Sequence, residues 1–264
     1  MTSQTRLNAF YSSRARLFAA SPHEHQGGGR YPADALKRIS DLEIASVVRR
    51  LKLNPHTTRV LDIGAGGGRW SLALAPRVHA VIALEPSALY ELLATRTAHL
   101  SQITVRRETF EDFQPAHAYD VAIVYGTLMH QPDDALARAF LQKAADSLAP
   151  GGTLVLGETM CATRQHWADW QRVPLTQSLD HARYWEIHRT CAEYAAYGRE
   201  AGLRLRAVLE SHGPLGGQTA LWSIMRRAPW PLVRAYNRLT RTAWGRIKHW
   251  RHQRRMRLMI WARD

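Results

Sequence analysis

Three groups of residues have types and spacings that can do chemistry. The first is Val60-Leu61-Asp62-Ile63-Gly64-Ala65-Gly66-Gly67-Gly68, an acid within an apolar run followed by a glycine-rich turn. Glycines allow tight turning and close backbone approach to a ligand, and a helix that follows offers free N–H groups to it. The second is His130, in Tyr125-Gly126-Thr127-Leu128-Met129-His130-Gln131-Pro132. A histidine titrating near 6.5 suits proton transfer, although it can equally bond a neighbouring carbonyl and shape its loop. The third is His181, Tyr184 and His188, with Arg183 and Arg189 beside them. On a helix, positions i, i+3 and i+7 share a face, so this set could grip a polar or anionic acceptor from a cap, with Glu158 on the floor below. The alternative is that Tyr184, Trp185 and Ile187 only pack the cap. No tight carboxylate–histidine spacing supports a metal site, and none is expected.

Alternating elements must position these groups. Residues 1–32 read as an N-terminal arm, mobile apart from one short helix around Arg6–Ala19. Residues 33–51 carry apolar positions at helical spacing up to Asn54-Pro55. Short apolar runs then alternate with helical segments. The strands are expected at 59–63, 80–84, 103–107, 119–125 and 153–157, with helices from 70, at 86–98 and at 133–148. Apolar runs without alternation indicate strands covered on both faces, hence a doubly wound, mainly parallel α/β sheet. A cap insertion is expected at 159–188. A helix at 190–201 and strands at 203–209 and 219–225, joined by a turn at 213–217, would complete seven strands with an antiparallel C-terminal hairpin. This α/β domain would span residues 33–227.

A glycine loop after a strand serves several nucleotide-binding families. Here Arg69 stands where the last glycine of GxGxxG would fall, which weakens a dinucleotide reading. Val60–Gly66 resembles instead the first motif of the class I, S-adenosylmethionine-dependent methyltransferases. Glu85 ends the next strand, where that family places an acid for the ribose hydroxyls. Glu108–Phe113, Tyr119–Val124 and Leu148-Ala149-Pro150-Gly151-Gly152-Thr153-Leu154 are similar to its later motifs, and the resemblance covers about residues 35–226. It implies that S-adenosyl-L-methionine is the cofactor. Gly64, Ala65 and Gly66 would pass along its methionine moiety, and Asp62 would orient the loop or meet the ammonium through water. Phe110 and Glu111 would hold the adenine, and Tyr125 would also bind the cofactor. His130, Tyr184 and His181 would be the catalytic candidates, and Glu158, Arg183 and His188 the substrate-binding ones. Glu108–Asp112 is also similar to ubiquinone-biosynthesis O-methyltransferases. Leu128-Met129-His130 and Arg183-Tyr184 resemble tRNA wobble-uridine carboxymethyltransferases.

The net charge of +14 is unevenly distributed: residues 226–264 hold 12 Lys/Arg and one acid, which leaves +3 for the rest. Leu232, Tyr236, Leu239, Ala243, Ile247 and Trp250 recur at helical spacing among the arginines, so residues 228–264 read as a basic amphipathic helical tail. It suits an anionic membrane surface; nucleic acid, a second subunit or the chain's own domain are the rivals. No apolar run reaches the ~20 residues of a membrane span, and only Cys161 and Cys191 occur, so a cytoplasmic protein, associated with the inner face of the membrane, is expected. The expected activity is methyl transfer to a hydroxyl of a small molecule or a glycan- or lipid-linked acceptor. An RNA-modifying enzyme using the tail and a non-catalytic cofactor-binding scaffold are the competing readings.

Overall fold

The apolar run Arg59–Ile63 forms β1, buried at every residue after Arg59, as a strand covered on both faces must be. The computed structural model describes residues 3–15, 33–169, 171–210, 229, 231–232, 235 and 255–264. Within them β1 is flanked by β2 (Ala80–Leu84) and β4 (Tyr119–Tyr125), both parallel to it. β3 (Ile103–Arg106) pairs parallel with β2, and β5 (Leu148–Met160) with β4. The helices α1 (Ser3–Ser13), α2 (Ala33–Val48), α3 (Arg69–Leu74), α4 (Leu89–Thr97), α5 (Asp134–Asp146) and α6 (Cys191–Glu200) fall beside the strands the alternation assigns them.

Local sequence sets the helix starts. Asp133 caps α5 by accepting the Leu136 N–H, and Thr190 with Glu193 closes a capping box at α6. Two apolar clusters sandwich the sheet. Leu61 and Ile63 face Phe140, Leu141 and Tyr194, whereas Val60 faces Val47, Trp70 and Leu74, which is the doubly wound arrangement expected.

The seven-stranded sheet has the order β3-β2-β1-β4-β5-β10-β9, with β9 at Leu203–Glu210 and β10 at Arg255–Arg263. β10 is antiparallel to both β5 and β9, so the last two strands pair as expected. The residues that supply the final strand are different from those expected. The 219–225 segment, its turn at 213–217 and the amphipathic positions from Tyr236 to Trp250 lie outside the described residues. The far end of the supposed tail is instead a strand between two others, with Leu258, Met259, Ile260 and Trp261 buried. Its arginines hid it. Arg257 sits at a sheet end opposite Glu210, and Arg263 reaches the carbonyls of Ala145 and Asp146.

The cap also differs. Residues 165–188 form a small sheet of order β7-β6-β8, from β6 (Gln165–Ala168), β7 (Gln171–Val173) and β8 (Trp185–His188). The helix that would align His181, Tyr184 and His188 does not exist. Of the N-terminal arm, residues 3–15 are described: its helix α1 begins at Ser3 and docks with Leu7 buried against Tyr184, Trp185 and Ile187. No helix among the described residues is long and apolar enough to cross a membrane.

Candidate active site

The strand order reverses between β1 and β4, and in such sheets ligands lie in the crevice beyond the strand ends at that point. The loops after β1 and β4 meet there. Gly64 has φ +72, and a Cβ on it would lie 2.5 Å from the Thr127 hydroxyl oxygen, so close loop approach requires glycine. Gly66 has φ +55 and nothing within 4 Å of where its Cβ would be, so the backbone there borders open space.

Carboxylates hold this loop. Asp62 is buried and accepts the Ser71 hydroxyl at 2.6 Å; burial pushes it up to about 6 against that bond. Glu85 accepts the Gly66 N–H at 2.9 Å with one oxygen and the Ser87 N–H and hydroxyl with the other. Burial raises its pKa, opposed by those donors. Glu85 therefore ties the glycine loop to the end of β2. Arg69 is buried and ion-paired with Glu43 of α2, and its side chain also donates to Ser40 at 2.6 Å. Its guanidinium lies over the Tyr125 ring, whose hydroxyl donates to Glu43 at 2.9 Å. Arg69 and Tyr125 thus brace the floor from beneath. Phe110 lies in the core against Phe140, and exposed Glu111 accepts a bond from Gln131.

The β4 loop ends in a 3-10 turn, Leu128–His130. Glu158, fully buried at 0% exposure, accepts the N–H groups of Thr127 at 3.0 Å and Leu128 at 2.7 Å. Burial pushes this carboxyl up to about 8 despite those bonds. Glu158 is therefore a support beneath the turn. His130 is buried; Nδ1 lies 2.7 Å from the Trp185 carbonyl and Nε2 2.8 Å from the Tyr11 hydroxyl. A carbonyl only accepts, so Nδ1 carries the proton and Nε2 accepts from Tyr11. Desolvation lowers the His130 pKa and keeps the ring neutral.

Tyr184 meets His130 edge-on at 5.4 Å between ring centres and donates to Glu186, which pairs with His188 at 2.5 Å. Burial opposes the Glu186 charge, but His188 and Tyr184 more than offset it and hold the carboxyl at about 2. His181 and Arg183 are exposed in the loop before β8, apart from this cluster. Arg189 is buried and bonded to Asp134 and the carbonyls of Gln131 and Asp133. Tyr11 and Glu186 were not singled out in the sequence. Strand alternation through 184, 186 and 188 could have found Glu186, whereas no local signal marks Tyr11.

The sequence pattern of the family described as "Methyltransferase domain" matches residues 23–207. A stretch of 123 residues, 44% of this chain, is 32% identical to chondramide synthase of Chondromyces crocatus, but spans only 3% of that protein. The ubiquinone biosynthesis O-methyltransferase of Xanthomonas axonopodis pv. citri is 30% identical over 213 residues, 75% of this chain and 83% of that one. The structure of N-methyltransferase NodS from Bradyrhizobium japonicum with S-adenosyl-l-homocysteine superposes with a TM-score of 0.57. The match covers 96% of this chain and 98% of that one at 15% identity, a likeness of fold.

Proposed function

This chain belongs to the class I, S-adenosylmethionine-dependent methyltransferases, and from that premise we propose that it methylates a hydroxyl of a small molecule or of a glycan- or lipid-linked acceptor. The open space at Gly66, bordered by Glu85, fits the cofactor: the glycine backbone would pass its methionine part and Glu85 its ribose. When bound, S-adenosylmethionine supplies an electrophilic methyl on a sulfonium.

The bond between Tyr11 and His130 carries the hydroxyl reading. Sulfonium transfer needs little help with its leaving group, so holding the acceptor in line does much of the work, and a base matters when the acceptor is a hydroxyl. His130 has its Nε2 lone pair fixed by the Nδ1–H bond to Trp185. Tyr11 occupies that lone pair and relays the acceptor's proton: the acceptor gives its proton to the Tyr11 oxygen as Tyr11 gives its own to Nε2. A neutral imidazole of lowered pKa is a weak base, which favours an acidic hydroxyl such as a phenol over an aliphatic alcohol. The O-methyltransferase relatives support the same acceptor atom. Glu186 and Tyr184 set the polarity beside it.

The basic segment belongs to the same reading. Residues 211–254 carry nine Lys/Arg and no acid. The paired residues that flank it, Arg257 with Glu210 and Arg255 with Met160, stand where β9 and β5 end, at the carboxyl edge of the sheet. Basic residues near an anionic membrane contribute about 1 kcal/mol each, which favours a lipid-linked acceptor over a freely diffusing one. Vesicle co-sedimentation over a salt series, with arginines of this segment changed to glutamine, tests this part.

Labelled S-adenosylmethionine incubated with fractionated cell extract tests the whole. Label in small-molecule or glycolipid hydroxyls supports the proposal. Label in RNA alone favours the RNA-modifying alternative and overturns it.

A further inference from the structure

Cross-strand partners in a sheet share a face, and in the cap the register joins the polar cluster near His130 to a cationic end. Trp167 pairs with Glu186 on one side and Arg172 on the other, and Gln165 pairs with His188. Glu186, His188, Trp167, Gln165 and Arg172 therefore lie on one face, crossing from β8 through β6 to β7. The Trp167 and His188 rings lie 6.3 Å apart between centres, tilted by 32°, which makes this face continuous. Its near end is felt at the reactive histidine, because the Glu186 and His188 charges both act on His130.

A cavity of about 270 Å³ opens at the far end, lined by Arg164, Gln165, His166, Arg172 and Leu175 among others. Arg164 is bound to Asp134 and Glu193. Arg189 shares Asp134. Arg172 is different: it is exposed, and among the described residues no carboxylate pairs with it. Of the two arginines that line the cavity, Arg164 is matched by Asp134 and Glu193, whereas Arg172 is left without a carboxylate among the described residues. Beside it, burial and then the Arg164 and Arg189 charges, opposed by Asp134, lower the His166 pKa.

We propose that this cavity is an anion subsite: the acceptor carries a carboxylate or phosphate that Arg172 binds while its hydroxyl is held at Tyr11 and His130. The inference rests on the methyltransferase reading and narrows it. Neighbouring strands lie ~4.8 Å apart, so two steps across the cap place the Arg172 backbone ~10 Å from that of Glu186. The acceptor is then an elongated molecule whose anionic group lies across the cap sheet from the reacting hydroxyl. An apolar or aromatic middle would lie against Trp167.

Binding of inorganic phosphate, and separately of benzoate, to the full chain is measured by calorimetry, with binding of S-adenosylhomocysteine measured on the same samples. Saturable binding of either anion by the wild type, weakened at least about tenfold in Arg172→Ala, partly kept in Arg172→Lys and unchanged in Arg183→Ala, is the expected result. The anion that binds tells phosphate from carboxylate. Wild-type protein that binds S-adenosylhomocysteine but neither anion, or an Arg172→Ala variant that binds them as well as wild type, overturns the subsite alone. Wild-type protein that fails to bind S-adenosylhomocysteine overturns the reading beneath it, and this inference with it.

Discussion

The hydroxyl of Tyr11, on the first helix, donates to Nε2 of His130 at 2.8 Å, across 119 positions of sequence. The opposite nitrogen is held by the Trp185 carbonyl at 2.7 Å, so one tautomer is fixed and its lone pair is aimed at a residue that no motif marks. His130→Ala should lower kcat by about 10²–10⁴ if the ring takes the acceptor proton, and Tyr11→Phe, which breaks the same relay, by a factor in the same range. Unchanged turnover in His130→Ala would remove it as the base, and the hydroxyl mechanism with it.

The rate should depend on pH through the same residue. The neutral ring accepts the proton, and desolvation sets its pKa below the ordinary 6.5 or so. Turnover should therefore be flat above neutrality and fall only in acid, below that ordinary value. The fold follows the same sign, because a lowered folded pKa contributes stability above the unfolded pKa and loses it as pH falls. A kcat profile with its midpoint above 7 contradicts this assignment.

Glu158 behaves in the opposite sense. Its folded pKa of about 8 exceeds the usual value of 4.5, so its contribution is complete below 4.5 and is lost as pH rises through about 8. Glu158→Gln keeps an oxygen for the Thr127 and Leu128 N–H groups and should flatten the dependence of Tm on pH across that window. Glu158→Ala leaves those donors unpaired and should cost ~1–3 kcal/mol. Thermal melts at several pH values check both; equal pH dependence in wild type and Glu158→Gln sinks the assignment.

The two loop glycines should separate folding from binding. Gly64→Ala meets the Thr127 side chain as well as a left-handed backbone, so it should lower Tm markedly. Gly66→Ala meets no protein atom within 4 Å and should cost only the ~1–2 kcal/mol of a left-handed non-glycine residue. Its main effect should appear as weakened binding of S-adenosylhomocysteine. If Gly66→Ala binds as tightly as wild type, the open space at that glycine is not where the cofactor lies.

The C-terminal strand offers a test of the fold. Removing residues 255–264 takes away β10 from between β5 and β9 and strips Trp261 from its contact with Gly198. The truncated chain should fail to fold, as seen by circular dichroism and solubility. A cooperative melt in the truncated protein would place the strand outside the essential sheet.

Sequence periodicity made the first five strands and the glycine loop legible because their chemistry is local: an apolar run followed by glycines needs no distant partner to be recognised. The support of the site was less legible because it is built from long-range pairs. Glu43 meets Arg69, Tyr11 meets His130, and Glu158 meets the turn after β4, and each pair joins residues whose types are ordinary in their own segments. Arg69 was informative as a departure from a dinucleotide motif, yet its buried ion pair with Glu43 appears only in three dimensions. In β10, charge obscured periodicity: the arginines of Arg255–Arg263 resembled the basic run before them, and only the buried Leu258–Trp261 core betrays a strand. In the cap, a spacing that fits a helix face also fits residues scattered over a turn and a strand, and the strand won because β6 supplies its hydrogen-bonding partner.

The account rests on a cofactor held between the glycine loop and Glu85, and calorimetry of S-adenosylhomocysteine with wild type and Glu85→Gln tests it most directly. Saturable wild-type binding that weakens about 10- to 100-fold in the variant, as expected for losing hydrogen bonds to a charged group, is the predicted result. No binding by the wild type, or equal binding by both proteins, would contradict it.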